Sequence, residues 1–281
     1  MFTPPKTIET RVFARLPEAL KTADHNNDWV AGQPVGAPVG SLLEGPCFDR
    51  DGNFWCVDIQ NGRIFRLTRD GIFQVIAEYD GWPNGLKFHK DGRGFIADYK
   101  HGIMTLDPVN GKVTPWVVRT QVEPFKGVND LFFASNGDLY FTDQGLTGLH
   151  DPTGRLFRIT PQGRLTCLLD NIPSPNGLVM NQEESQMYVA VTRGNCVWRV
   201  PFLRDGSVAK VGLYIQLSGG GGPDGMALDE NGGLVVAHVG MGAVWAFNAI
   251  GEPVARIRSS AGHFITNVAF GGPDRKTLFL C

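Results

Sequence analysis

From Glu44 onward, short apolar runs alternate with Asp-Gly or Asn-Gly pairs, and no stretch holds a helical period for long. The first unit shows the grammar. Gly45 to Phe48 is one run, Asp51-Gly52 turns it, and Phe54 to Ile59 is a second. Asn61-Gly62 turns again, Ile64 to Leu67 follows, and Asp70-Gly71 leads into Phe73 to Ile76. Asp-Gly and Asn-Gly supply the φ > 0 turns of tight hairpins, so the unit is predicted to be a four-stranded meander. Later units repeat it. Asp91-Gly92, Asn136-Gly137 and Asn231-Gly232 separate first and second strands, while Asn110-Gly111, Gln162-Gly163 and Asp205-Gly206 separate third and fourth.

Each unit opens on a related phrase. Ser174-Pro175-Asn176-Gly177-Leu178 is echoed by Trp82-Pro83-Asn84-Gly85-Leu86, Gly127-Val128-Asn129-Asp130-Leu131 and Gly222-Pro223-Asp224-Gly225-Met226. Looser copies are Leu43-Glu44-Gly45-Pro46 and Ile265-Thr266-Asn267-Val268-Ala269. The marked residues Glu44, Asn84, Asn129, Asn176, Asp224 and Asn267 lie 40, 45, 47, 48 and 43 residues apart. Four-stranded units at this period close radially, which predicts an all-β fold: a six-bladed β-propeller of four-stranded antiparallel blades. Blades stack face to face, so runs such as Leu131 to Ala134 and Leu234 to Ala237 are apolar on both sides. The last unit holds two strands before Cys281, and Arg11 to Leu16 is expected to return as a closing strand. That still leaves the last blade incomplete, in the native chain or through truncation, with an edge at risk of pairing.

Two segments follow: 1–40, an N-terminal closing strand with a lid-like loop, and 41–281, the propeller as a single domain. Asp24 to Trp29 and the Gly/Pro-rich stretch Gly32 to Gly40 are expected as irregular loop.

Composition narrows the function. The chain has 281 residues, 36 Gly and 18 Pro, which suits many tight turns. A net charge of −2 without a basic run gives nucleic-acid binding no support. The five cysteines contain no CxxC pair, so neither a disulfide framework nor a zinc site is implied. No secretory signal and no apolar run of membrane-spanning length is visible, so the expectation is a cytoplasmic protein without membrane association, monomeric or a small homo-oligomer.

In a propeller the first strand of each blade lines the central channel, so the six marked residues converge on one mouth. Two carboxylates and up to four amide carbonyls are oxygen donors of the kind hard dications want, Ca²⁺ above all. Without a cation, Glu44 and Asp224 would repel each other or stay partly protonated. A lone Asn-Gly is ordinary turn chemistry; six polar residues in register, two of them acidic, point to a site, with Asn84 and Asn267 as the members expected to be purely structural or outer-ring contacts.

Five motifs in blade order carry a resemblance: Leu43-Glu44-Gly45-Pro46, Val128-Asn129-Asp130, Ser174-Pro175-Asn176-Gly177-Leu178, Gly222-Pro223-Asp224-Gly225 and Ala269-Phe270-Gly271-Gly272. Over about residues 41–281 the sequence resembles the family of gluconolactonase, regucalcin (senescence marker protein) and luciferin-regenerating enzyme. The resemblance implies a hydrolase of sugar lactones with one divalent metal ion, Ca²⁺ first, with Zn²⁺, Mn²⁺, Mg²⁺ or Fe²⁺ as other occupants. By motif, Glu44, Asn176 and Asp224 match metal ligands, and Asn129 matches a residue that contacts substrate or metal. The implied mechanism polarises the lactone carbonyl and activates water, with Asp224 as the preferred general base and Asp143 and Asp130 as alternative bases or supports behind the site. Regucalcin-like members place an Arg where this chain has Gly127, so their sugar contacts do not carry over; Lys126 is the nearby cation.

Asn84, Lys126, Arg193 and His263 complete the candidate substrate contacts, and His238 is a weaker acid/base candidate. Gly219 to Gly222 lacks the Lys-Ser/Thr of a phosphate loop, and no Gly-x-Ser-x-Gly elbow exists. Two alternatives stand beside the lactonase: a phosphotriesterase of the diisopropyl-fluorophosphatase type, and a non-enzymatic calcium-binding propeller.

Overall fold

In the computed structural model, which describes residues 3–22, 28–36 and 40–281, the regular secondary structure is almost entirely strand. The first four-stranded sheet runs Leu43–Phe48, Phe54–Asp58, Arg63–Leu67, Phe73–Glu78, each strand antiparallel to the one before it. Three more sheets of four follow, opening at Pro83, Val128 and Pro175. The fifth sheet, Gly222–Leu228, Leu234–Val239, Ala243–Phe247 and Pro253–Arg258, gains Lys6–Glu9 as a parallel fifth strand at its outer edge.

The blade count corrects the expectation from the repeat. The ring holds five blades, and the sixth marked unit forms only a two-stranded sheet, Val268–Gly271 with Thr277–Leu280. The physical reason lies in where the N-terminal strand pairs. Lys6–Glu9 takes the open rim of the fifth blade, aligned with Ala255 to Arg258, and does not extend the C-terminal hairpin. Arg11 to Leu16, expected as the closing strand, forms no strand. It covers the hairpin through side chains instead: the Phe13 ring meets Phe279 edge-on at 5.4 Å, and Ala14 and Leu16 join the same apolar cluster. The hairpin's inner strand sits between the inner strands of the fifth and first blades, which closes the circle.

Packing follows from two-sided strands. Phe54–Asp58, Gly94–Asp98 and Leu139–Asp143 are buried along their whole length, whereas the outermost strands alternate with solvent. Apolar layers fill the space between neighbouring blades, with Ile64, Leu86 and Ile96 fully buried between the first two. Each such side chain contributes about 1.5–3 kcal/mol relative to exposure. Among the described residues no helix is long and apolar enough to cross a membrane. All five cysteines are free. Asp28–Ala31 is a single helical turn; Asp24 to Asn27 and Ala37 to Val39, expected as loop, lie outside the described residues.

One irregularity recurs in every blade. Pairing between first and second strands slips between Glu44 and Cys47, Pro83 and Gly85, Val128 and Leu131, Pro175 and Leu178, and Pro223 and Met226. Each slip is a bulge at the marked residue, and a bulge re-aims a side chain out of the sheet's alternation. The hairpin pairs regularly from Val268 to Gly271, with no slip.

Candidate active site

The five bulges turn Glu44, Asn84, Asn129, Asn176 and Asp224 onto the floor of one cavity of about 1060 Å³ at a mouth of the channel. All five side chains are buried. Neighbouring inner strands approach closely enough here that a Cβ at Gly177 would stand 2.5 Å from the Asp224 carbonyl oxygen. Glycine after the marked residue is therefore a packing requirement as well as a turn signal.

The sixth place on the floor belongs to Thr266, not Asn267. Thr266 donates its hydroxyl to the Leu43 carbonyl at 2.8 Å. Asn267 lies outside the cavity wall and donates its amide to Glu44 Oε2 at 2.9 Å. Its Oδ1 accepts the Val268 N–H at 2.8 Å, the same local bond that Asp130 makes with the Leu131 N–H at 2.8 Å. Asn267 and Asp130 thus share one register, one step past the floor residues.

The electrostatics of this buried set are unusual. Burial, then the Asp130 charge, pushes the Glu44 carboxyl from its ordinary 4.5 up to about 8, with the Gly45 N–H, Asn267 and Lys87 opposing. Asp224 is raised well above the carboxylate range by burial and by the charges of Glu44 and Asp130, with a hydrogen bond from the Asn176 amide offsetting part. Asp130 is raised chiefly by burial. Three carboxyls this close cannot all ionise in a low dielectric without a counter-charge.

The carbonyl donors complete the picture. Asn129 gives its amide to Gln144 Oε1 at 2.9 Å, which leaves its own carbonyl for the cavity. Asn176 Oδ1 is buried with no hydrogen-bond partner. Buried acceptors are nearly always satisfied, so such an atom calls for a ligand. A carbonyl without a donor beside a like-charged carboxylate pair fits a hard dication, which would satisfy both at once. Among the described residues no three His, Cys, Asp or Glu side chains form a cation site alone. The set that fits is mixed: Glu44 and Asp224 with the carbonyls of Asn129 and Asn176.

Behind this floor, Asp143 is fully buried and accepts from the N–H groups of Lys126 and Gly127 at 2.7 and 2.8 Å and from Arg155 Nε at 2.7 Å. It pins the turn that leads into Asn129. Gly127 has φ +154°, and a Cβ there would stand 2.6 Å from the Tyr99 ring, which itself lines the cavity. Tyr99 therefore occupies the space a side chain at position 127 would need.

The remaining candidates divide. Arg193 reaches the cavity wall. Lys126 is exposed, outside the wall, and bonded to the Thr153 hydroxyl. His263 is exposed and holds the Gly240 and Gly242 N–H groups through its carbonyl, while the adjacent Phe264 faces the cavity. His238 is buried between the Trp245 indole N–H, 3.3 Å from Nδ1, and the Gly219 carbonyl, 2.9 Å from Nε2. An indole only donates, so Nδ1 accepts and Nε2–H donates: a neutral structural ring, its pKa lowered first by burial. Ser174, the first residue of the marked phrase, lines the cavity, and Trp29, Gln144, Leu146, Thr147 and Leu149 also line it without having stood out as site residues in the sequence. Gln144 directly follows Asp143, the last residue of the third blade's second strand, and that adjacency is the one signal that could have found it.

Comparison with known proteins adds the lineage. A lactonase drp35 of Staphylococcus aureus (strain MW2) is 30% identical over 261 residues, covering 86% of this chain and 78% of that one. A lactonase drp35 of Staphylococcus saprophyticus is 30% identical over 259 residues, with the same shares of the two chains. A gluconolactonase structure from Xanthomonas campestris superposes with a TM-score of 0.77 at 24% identity, over 86% of this chain and 83% of that one, which shows the fold. A regucalcin structure from Agrobacterium tumefaciens, described as a calcium-binding protein, gives a TM-score of 0.74 at 27% identity, over 85% of this chain and 81% of that one. The family described as SMP-30/Gluconolactonase/LRE-like region matches residues 42–281. With its five marked blades opening on that match, the chain belongs to the SMP-30/gluconolactonase/LRE-like family.

Proposed function

We propose that the protein is a lactonase that opens a lactone ring to the hydroxy acid with the help of one divalent cation, Ca²⁺ first, at the channel mouth. The observation that carries this reading is the unpartnered Asn176 Oδ1 beside the buried pair Glu44 and Asp224. Its relatives in Staphylococcus are named lactonases, and a structural neighbour is described as calcium-binding.

Glu44, Asn129, Asn176 and Asp224 would hold the cation, which supplies Lewis-acid polarisation of the lactone carbonyl and charge for the developing oxyanion. The chain's own residues do the rest. Asn267 and the Gly45 N–H fix the Glu44 carboxyl, and Gln144 fixes the Asn129 amide. Asp224, ionised once a cation offsets the Glu44 charge beside it, would take the proton from the attacking water at its carboxylate and return it to the leaving alkoxide. The buried floor keeps bulk water from screening these charges.

The test is hydrolysis of δ-gluconolactone, simple γ- and δ-lactones and one phosphotriester, with and without chelator and with added Ca²⁺, Mn²⁺ or Zn²⁺. Lactone opening that chelation stops and a cation restores is expected, and Asp224→Ala should remove activity and cation binding while the protein still folds. Lactone hydrolysis indifferent to chelator, or preference for the phosphotriester, would overturn the proposal.

A further inference from the structure

Above the polar floor the cavity changes character. Its upper wall is made by Trp29 and Val35 of the N-terminal segment, Tyr99 of the second blade, Leu146 and Leu149 of the loop after Asp143, and Phe264 on the approach to the C-terminal hairpin. Several of these stand in solvent: Leu146 is 68% exposed, Leu149 72% and Phe264 49%. Large apolar side chains scattered singly over a surface need no explanation, but these converge on one opening, which marks a binding surface.

Arg193 and His150 stand on the wall as polar side chains, while the groups around Gln144 between floor and rim are committed to one another. Gln144 accepts from Asn129 and donates to Ser174 Oγ at 2.9 Å. Thr147 donates to the Gln144 carbonyl at 2.6 Å and accepts the Ser174 N–H at 3.1 Å. Thr192 and Thr266 donate to the carbonyls of Pro223 and Leu43, both at 2.8 Å. A polyhydroxylated substrate would have to give up water for hydroxyl groups at this height and find few partners beyond Arg193 and His150, a cost for each unmatched group. Size points the same way. A cavity of about 1060 Å³ is at the top of the range that holds drug-sized ligands, whereas an aldonolactone has roughly a dozen non-hydrogen atoms.

We infer that the preferred substrate is a lactone whose ring rests on the floor and whose ring substituent is an apolar alkyl chain, lying along Leu146, Leu149 and Phe264 beneath Trp29 and Val35. This rests on the lactonase reading and names the substrate class for the same site. Tyr99, packed where a side chain at position 127 would stand, adds an aromatic ring to the same wall.

The test is a chain-length series on one ring. With the cation-loaded protein, kcat/KM is measured for γ-butyrolactone and for γ-lactones carrying two, four, six and eight side-chain carbons, with δ-gluconolactone beside them. Burying each methylene should raise kcat/KM about three- to fourfold over the first few carbons, until the cavity is filled. The ratio of the six-carbon member to the bare ring should fall at least about fivefold in Leu149→Ser, a change at an exposed loop position outside the strands. A flat series, or δ-gluconolactone turned over as well as the long-chain members, would overturn this inference and leave the lactonase reading standing. Failure to open any lactone, the bare ring included, would sink that reading and this inference with it.

Discussion

Asn267, from the C-terminal hairpin, donates its side-chain amide to Glu44 Oε2 of the first blade at 2.9 Å, 223 residues away in sequence. The bond ties the seam of the ring to the floor of the cavity. It also explains how a two-stranded closure still serves the site: the hairpin contributes a support for a floor carboxylate in place of a ligand of its own.

Asn267→Ala should therefore act on both stability and site. Loss of this buried bond costs about 1–3 kcal/mol in urea unfolding. Because the Asn267 amide lowers the Glu44 pKa, its removal should weaken divalent-cation binding in calorimetry, most visibly below pH 8.

The raised carboxyls predict an unusual pH dependence for the chelated protein. Glu44 has a folded pKa of about 8 against an ordinary 4.5, so the folded state holds the proton that the unfolded state releases. That contribution to stability is complete below about pH 4.5 and is lost as the pH rises towards 8. Melting temperatures in chelator should fall across that window, and Glu44→Gln should flatten the fall. A melting curve that rises over the same window would contradict the raised pKa.

Gly127 should resist substitution. With φ +154° and the Tyr99 ring 2.6 Å from where a Cβ would stand, Gly127→Ala meets backbone strain and a clash together. The expected loss is about 1–3 kcal/mol in denaturant unfolding. The double variant with Tyr99→Ala should recover the steric part only.

His238 should prove structural. His238→Gln should cost about 1–2 kcal/mol through the lost Trp245 and Gly219 bonds, measured by denaturant unfolding. The pH–rate profile should be unmoved. The burial-lowered pKa means that stability is present above the ordinary imidazole range and is lost as the pH falls, so the variant should be less sensitive to acid than the parent.

Much of this protein was legible in its sequence. Asp-Gly and Asn-Gly pairs between apolar runs define the strands of each blade, because hairpin turns demand φ > 0 locally. The phrase around Asn176 located five floor residues, Glu44, Asn84, Asn129, Asn176 and Asp224, since a fixed place in a repeat becomes a fixed height in a ring. What the sequence could not show was decided by pairing across distance. The number of blades turned on whether Lys6–Glu9 joined Pro253–Arg258 or the C-terminal hairpin, a choice between two edges that no local pattern encodes. Asn267 holds the sixth place in the repeat but Thr266 holds it on the floor, because side-chain direction depends on a bulge, present in five blades and absent from the hairpin, and one residue of register moves a side chain to the other face. Lys126, His263 and the apolar rim depended on loop geometry. The sequence by itself determined the repeat and its chemistry; the tertiary structure decided which residues face one another, because burial and strand pairing act between segments far apart in the chain.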